Sequence, residues 1–141
     1  MPEYSYDDKN IFAKILKGEL PCEKVFEDQY TFAIMDIMPR ADGHVLVLPK
    51  RHCRNMLDAD TVTLAQVMDT TQRIARAQML ALNADGITMQ QFNETAGGQI
   101  VFHLHMHVIP RFENIKMRPH SGEMADANIL KTLATKLRSV L

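Results

Sequence analysis

Apolar residues recur along the chain with two periods. A helical period of three to four residues is seen at Ile11, Phe12, Ile15 and Leu16, after Asp8 as a cap and before Gly18 as a stop, and predicts a short helix over roughly 9–17. Residues 1–8 are polar and read as a loose tail. Glu23–Glu27 and Tyr30–Asp36 are β-prone runs joined by Asp28-Gln29, which predicts a hairpin. Met38–Gly43 is a turn, and His44–Leu48 is a third strand closed by Pro49, with His44, Leu46 and Leu48 on one face. Asp58-Ala-Asp60 opens a long helix to about Asn83, striped by Leu64, Val67, Met68, Thr71, Ile74, Ala75, Gln78 and Leu82, with Asp85-Gly86 as the exit. Ile87–Phe92 is the next strand, and a last helix near 124–140 carries Ile129, Leu130, Leu133, Leu137 and Val140 on one side.

The remaining stretch, Gln99–Pro110, reads as a strand of unusual composition, ended by Pro110, which has no N–H for a ladder. Alternation puts His103, His105 and His107 on one face with Val101, and Phe102, Leu104, Met106 and Val108 on the other. The second set is a core face. The first is a row of imidazoles, about 7 Å from one to the next. A single histidine on a strand is most often a satisfied polar residue, but three in strict alternation are hard to explain by packing, because each buried imidazole needs a hydrogen-bond partner. Two chemistries use such a row: metal ligation and acid–base or nucleophilic catalysis near neutral pH. One ion held by all three is awkward, since the outer pair stand about 13 Å apart along an extended strand. The preceding Asn93–Gln99 segment holds Gly97-Gly98, where backbone N–H groups can approach an anion, which suggests a phosphate set against an imidazole.

Gly98-Gln99, Val101 and His-Leu-His-Met-His-Val-Ile-Pro-Arg111 resemble the signature of the histidine triad (HIT) family of nucleotide hydrolases and transferases. Asp36-Ile37-Met-Pro-Arg-Ala-Asp-Gly43-His44-Val-Leu-Val-Leu-Pro49-Lys50 is similar to the upstream half of the family's site, and Ile11–Pro21 to its N-terminal helix and turn. The likeness covers most of residues 10–112. It implies a nucleophilic His105 that takes a nucleotide's α-phosphate, with His107 at the leaving group and His103 and His44 in the hydrogen-bond network. It further implies Gln99, Gly98 and the Ile100 backbone N–H near the phosphate, Asn93 near the phosphate end and Asp36 on the ribose. Ile11, Phe12, Ile15, Ile34 and Ile37 would wall the base. The bland readings are core packing for the aliphatic residues and a turn role for Asp36.

Two departures qualify the likeness. Many bacterial members carry Cys-x-x-Cys near the N-terminus for a structural zinc; Asn10-Ile-Phe-Ala13 stands here, so no metal and no cofactor is expected. Many members follow the Gln with Ser or Thr, whereas Ile100 has no hydroxyl. The branch resembled is the nucleoside phosphoramidase-like one, acting on purine nucleotide conjugates through a nucleotidyl-histidine. Alternatives are a diadenosine polyphosphate hydrolase, a nucleotide-binding or scaffold protein with incidental turnover, and a metalloenzyme using His-x-His.

Strands clustered around a long helix argue for α+β, and the family adds an antiparallel sheet of about five strands and a homodimer. With 141 residues a single domain is expected, its core roughly 9–112. Composition changes this picture little: 46% hydrophobic and 23% charged residues are ordinary for a globular protein. The net charge of −1 gives no footprint for polymeric nucleic acid. Only Cys22 and Cys53 are present, the first ten residues lack a secretory pattern, and no run has the length of a membrane span, so a cytoplasmic protein with reduced thiols and no membrane partner is expected.

Overall fold

The structure is a computed structural model that describes residues 4–120 and 122–141. Elements follow in the order α1 (Ile11–Leu16), β1 (Lys24–Glu27), β2 (Thr31–Met35), β3 (Val45–Pro49), α2 (Thr61–Ala81), β4 (Gly86–Gln90), β5 (Met106–Arg111) and α3 (Ala127–Arg138). The five strands form one antiparallel sheet in the order β1-β2-β3-β5-β4. This is the α+β architecture expected. Among the described residues no helix is long and apolar enough to cross a membrane.

Alternation divides the sheet's two faces. Val45, Val47 and Val108 point into a core shared with Val67, Ile74 and Ala77 of α2 and with Leu130, Ala134 and Leu137 of α3. Phe32, Ile34, Leu46 and Leu48 point the other way, and Phe12 of α1 packs on them. Each fully buried aliphatic side chain contributes about 1.5–3 kcal/mol, so both faces bind their covering helices firmly. Leu46 is register partner to His107, which sets His107 on the second face, beneath α1.

Helix α2 does more than cover the sheet. Gln78, read from sequence as part of an apolar stripe, is fully buried, and its Nε2 donates to Gly43 O and Val108 O, both at 2.9 Å. Those carbonyls adjoin His44 and His107. A single amide thus ties the two backbones that carry these histidines to one helix.

Several expectations are corrected. Asn10, not Asp8, caps α1: its Oδ1 accepts from Ala13 N at 2.9 Å, while Asp8 makes an exposed ion pair with Lys17. Met68 on α2, and Ile129 and Val140 at the ends of the last apolar stripe, are exposed rather than core residues. Of the expected tail, residues 1–3 lie outside the described residues, and Tyr6 is anchored to the site. The largest correction concerns Gln99–Pro110, of which only Met106 onward is strand. Leu104 N donates to Cys53 O at 2.9 Å, which takes the chain off the sheet's ladder before β3 is reached. Pro110 does not end the strand. It lies inside β5, paired with Ile87 of β4.

Gly43 holds φ at +95° in the turn before β3, and a Cβ built there would lie 2.3 Å from Leu82 Cδ1 and 3.3 Å from Pro110 Cγ. Backbone strain and overpacking therefore act together, and Gly43→Ala is expected to destabilise by about 2–4 kcal/mol. Thermal or urea unfolding of the purified variant reads this directly; an unchanged midpoint contradicts the close approach.

Candidate active site

The turn after β2, the histidine segment and α1 enclose a cleft of about 320 Å³, within the size range of small-ligand sites. Its walls include Ile11, Phe12, Ile15, Ile34, Ile37 and Ile100, and its polar groups are Asp36, Arg40, His44, His105, His107 and His120. Gly98 lies on the rim with φ at +98°, and a Cβ there would sit 3.3 Å from the Phe92 ring.

The protons on the imidazoles follow from backbone partners whose roles are fixed. His105 Nδ1 lies 2.6 Å from His103 O, a pure acceptor, so Nδ1 carries the hydrogen and Nε2 is bare. Arg40 N–H donates to His44 Nδ1 at 3.0 Å. His44 Nε2 must then hold the proton, and it donates to His107 Nδ1 at 2.9 Å. His107 Nε2 in turn keeps its own hydrogen. His103 Nε2 donates to Pro49 O at 2.8 Å, and Tyr6 Oη donates to His103 Nδ1 at 2.6 Å. Four histidines are thereby each assigned one tautomer.

Burial acts on all four in the same sense. It holds His44 down to about 3 and His103 to about 4, and lowers His105 and His107 as well. The sequence suggested that neighbouring imidazoles keep His105 unprotonated. Desolvation does so instead, partly offset by the bond to His103 O; repulsion from neighbouring rings acts on His44, His103 and His107, and Arg40 adds to it at His44 and His107. Asp36 Oδ1 accepts from Met38 N at 2.8 Å, and Oδ2 lies 3.5 Å from His44 Nε2. Facing neutral rings, this carboxyl is raised by burial to about 6.

Asp36, His44 and His107 also bring three potential ligand atoms within 4.8 Å of one another, the one such cluster among the described residues. The proton assignments argue against a resident ion. With Nδ1 of His44 accepting from a backbone N–H, a metal at Nε2 would require an imidazolate. The donor set therefore fits a hydrogen-bond relay better than a coordination shell.

Three residues placed at the site from sequence do not face the cleft. The Gln99 amide is buried and fully used: Oε1 accepts from Asn55 Nδ2 and Glu94 N, while Nε2 donates to Arg54 O and Val101 O. Asn93 Oδ1 accepts from Met56 N behind the cleft. His103 is turned towards Tyr6, whose ring stacks on His52 with centroids 4.6 Å apart. Because the segment leaves the strand before His105, the row is broken into a His105–His107 pair, centroids 5.1 Å apart, and a separate His103. Gln99 and His103 thus act at one remove, shaping the backbone that bears Gly98 and His105. Sequence reasoning missed Arg40, Phe92, Tyr6 and His120. Phe92 meets both His107 and His120 edge to face. Arg40 sat in view within the upstream motif and Phe92 at the end of the strand expected over Ile87–Phe92; Tyr6 and His120 gave no periodic signal.

Residues 17–114 match the model of the HIT domain. The chain belongs to the HIT family. It is 38% identical to Protein hit of Bacillus subtilis over 102 residues, 72% of this chain and 70% of that one. The adenosine 5'-monophosphoramidase HNT1 of Saccharomyces cerevisiae is 38% identical over 72% of this chain and 61% of its own. The adenylylsulfatase HINT3 of Arabidopsis thaliana is 35% identical over 73% of this chain, which spans about half (52%) of that longer protein. Among solved structures, a Hit-like protein from Bartonella henselae superposes with a TM-score of 0.91 at 49% identity, covering 97% of this chain and 100% of that one. A zinc-bound histidine triad protein from Mycobacterium smegmatis gives 0.84 at 33% identity over 94% and 92%.

The buried neutral histidines set an acid sensitivity. An unfolded histidine titrates near 6.5, so below that pH the unfolded chain binds protons that His44, His103, His105 and His107 refuse. Their contribution is complete above pH 6.5 and is lost as pH falls, by up to about 2 kcal/mol for each strongly depressed ring at pH 5. Asp36 acts oppositely, gaining stability as pH falls from about 6 towards 3.8, but it is one group against four. The denaturation midpoint is expected to drop between pH 7 and 5, and less steeply in His44→Asn; a midpoint flat across this range contradicts the assignments.

Proposed function

We propose that the chain is a nucleotide hydrolase that cleaves at the α-phosphate of purine nucleotide conjugates, phosphoramidates or anhydrides, through a covalent nucleotidyl-His105. One observation carries the reading: His105 has its single proton committed to His103 O, which leaves an unprotonated Nε2 at the wall of a ligand-sized cleft. An imidazole in this state is a nucleophile without prior deprotonation, and a covalent intermediate divides one hard displacement into two easier ones.

The parts around it fit the same chemistry. Nε2 of His105 attacks phosphorus and the bond to the leaving group breaks. His107 Nε2–H donates a hydrogen bond on that side, and the backbone N–H of Ile100 meets a phosphoryl oxygen as charge develops, those of Gly98 and Gln99 being taken by Thr95 O and Glu94 O. Water then cleaves the P–N bond and frees the nucleoside monophosphate. The Asp36 carboxylate accepts from ribose hydroxyls, and the isoleucines with Phe12 hold the base by its faces, which favours large purine rings over any particular edge pattern. The phosphoramidase and adenylylsulfatase named among the relatives act on adenylates with different leaving groups, in keeping with a shared first step. The reading needs no metal and no cofactor.

His105→Ala is expected to lower AMP release from adenosine 5′-phosphoramidate by about 10³-fold or more, while wild type retains its rate in chelator. Intact-protein mass spectrometry of quenched wild type is expected to show a nucleotidyl adduct that the variant lacks. Chelator-sensitive release supports the metal reading instead, and nucleotide binding with no release supports a binding module.

A homodimer belongs to the proposal. β4 is an edge strand of the sheet, and Met79, Leu80 and Ile87 line an apolar depression beside it. Light scattering is expected to give twice the chain mass for wild type and the single mass for Leu80→Glu; a monomeric wild type ends this part of the reading.

A further inference from the structure

The side chain of His103 does not face the cleft, yet both of its ring nitrogens are engaged, and one partner comes from the start of the chain. The ring is fully buried; Nε2 donates to Pro49 O at 2.8 Å, and Nδ1 accepts from Tyr6 Oη at 2.6 Å. Tyr6 lies just ahead of Asn10, the cap of α1, and its half-buried ring stacks on the exposed ring of His52 at an interplanar angle of 23°. A phenylalanine would make the same stack. Only the hydroxyl reaches His103, and among the described residues it is the single donor to Nδ1.

The consequence falls on His105. Its bare Nε2 exists because Nδ1–H is held by His103 O. That carbonyl belongs to the peptide between His103 and Leu104, which precedes β5 and lies outside the ladder of the sheet. The N–H of the same peptide has one tie, Leu104 N to Cys53 O at 2.9 Å. A single hydrogen bond leaves a peptide free to swing about it. The buried His103 ring, fastened at both nitrogens, supplies the second fixed point. Without the Tyr6 hydroxyl a buried ring nitrogen is left unpaired, which drives the ring towards a new partner and turns the carbonyl with it. Among the described residues His105 Nδ1 has no other acceptor, so its hydrogen is then free to move to Nε2.

The segment that carries Tyr6 is itself tied to the site on two sides. Arg54 Nη1 donates to Ser5 O at 3.3 Å, while its Nε and Nη2 hold the Glu94 carboxylate, at the head of the Gly97-Gly98 turn, at 2.7 and 2.9 Å. Past Asn10 the segment becomes α1, whose Phe12 ring meets the His105 ring edge to face, centroids 4.8 Å apart.

We propose that Tyr6 is a positioning residue of this active site: its hydroxyl locks the His103 ring and, through the His103 carbonyl, selects the tautomer in which His105 Nε2 is free to attack. The inference rests on the His105 reading and gives the N-terminal segment a part in keeping that nucleophile ready.

Histidine-selective nitrogen NMR of the protein without nucleotide reads the lock directly. Wild type is expected to show His105 as one tautomer, protonated at Nδ1 and bare at Nε2. Tyr6→Phe, which keeps the stack on His52, is expected to give intermediate shifts at both nitrogens, the mark of two exchanging tautomers. General loss of stability does not imitate this, because the spectrum reads the folded molecules. A single unchanged His105 tautomer in Tyr6→Phe overturns the inference, whatever the rate does. In single turnovers of adenosine 5′-phosphoramidate, Tyr6→Phe is expected to slow AMP release about tenfold, the size of one lost hydrogen bond, with AMP affinity changed less than about twofold because the base wall is intact. Weaker AMP binding at an unchanged single-turnover rate also overturns it. If Tyr6→Phe does not fold, wild type labelled with 3-fluorotyrosine carries the test: the more acidic hydroxyl is expected to shift the His103 Nδ1 resonance further in the hydrogen-bonded direction, and an unmoved resonance removes the bond on which the inference stands. Absence of turnover by wild type sinks the hydrolase reading, while the spectra still decide whether Tyr6 sets the His105 tautomer.

Discussion

A neutral imidazole has one proton and two nitrogens, and everything in this site depends on which nitrogen holds it. The protein decides the matter with groups that have only one role. Two carbonyls, His103 O and Pro49 O, can only accept, and the Arg40 backbone N–H can only donate. From these three fixed points the state of four rings follows. Side-chain partners alone would not do this, because a chain of histidines bonded only to one another can reverse its polarity at little cost. The backbone anchors make the reversed chain unfavourable, and so leave one lone pair exposed at one atom.

The fold can be understood as what holds those anchors in register. Gln78 binds the carbonyls next to His44 and His107 to the same helix. The Gln99 amide, with Asn55, Glu94 and Arg54, pins both ends of the turn that precedes His103. Neither amide touches the cleft. The Gln99 amide is fully hydrogen-bonded, whereas Gln78 bonds through Nε2 alone and leaves its buried Oε1 without a partner among the described residues; both convert packing precision into side-chain direction. Charge is then placed sparingly: one carboxylate and one guanidinium line a cleft whose histidines are neutral.

Much of this was legible in the sequence. Period and turn residues located every strand and helix of the sheet, and the match of His44 and the His-x-His-x-His run to a known motif put the right segments together. Strand alternation was the wrong physical reason for the triad. It predicts three rings on one face, but the Leu104–Cys53 backbone bond breaks the strand before His105, and the rings divide into a pair and a single. Gln78 was hidden because a helical stripe does not distinguish a buried amide from a buried aliphatic. Tyr6 and His120 were hidden because they come from irregular segments, where no periodicity marks a side chain that returns to the site. Asn93 and Gln99 were placed near the phosphate by resemblance, and their amides turn to Met56 N and to Asn55, Glu94, Arg54 and Val101 instead, since spacing along a chain does not say which way an amide turns.

The apolar rim of the cleft has a consequence of another kind. Ile11, Ile37 and Ile100 are 49%, 47% and 73% exposed, an unusual degree of wetting for three isoleucines around one opening. A ring system seated between them removes that surface from water together with its own faces. Association of such a ring system then carries a negative heat-capacity change, and its enthalpy grows more favourable with temperature. The same rim is an exposed apolar patch, the kind of surface that gains free energy when another apolar surface covers it.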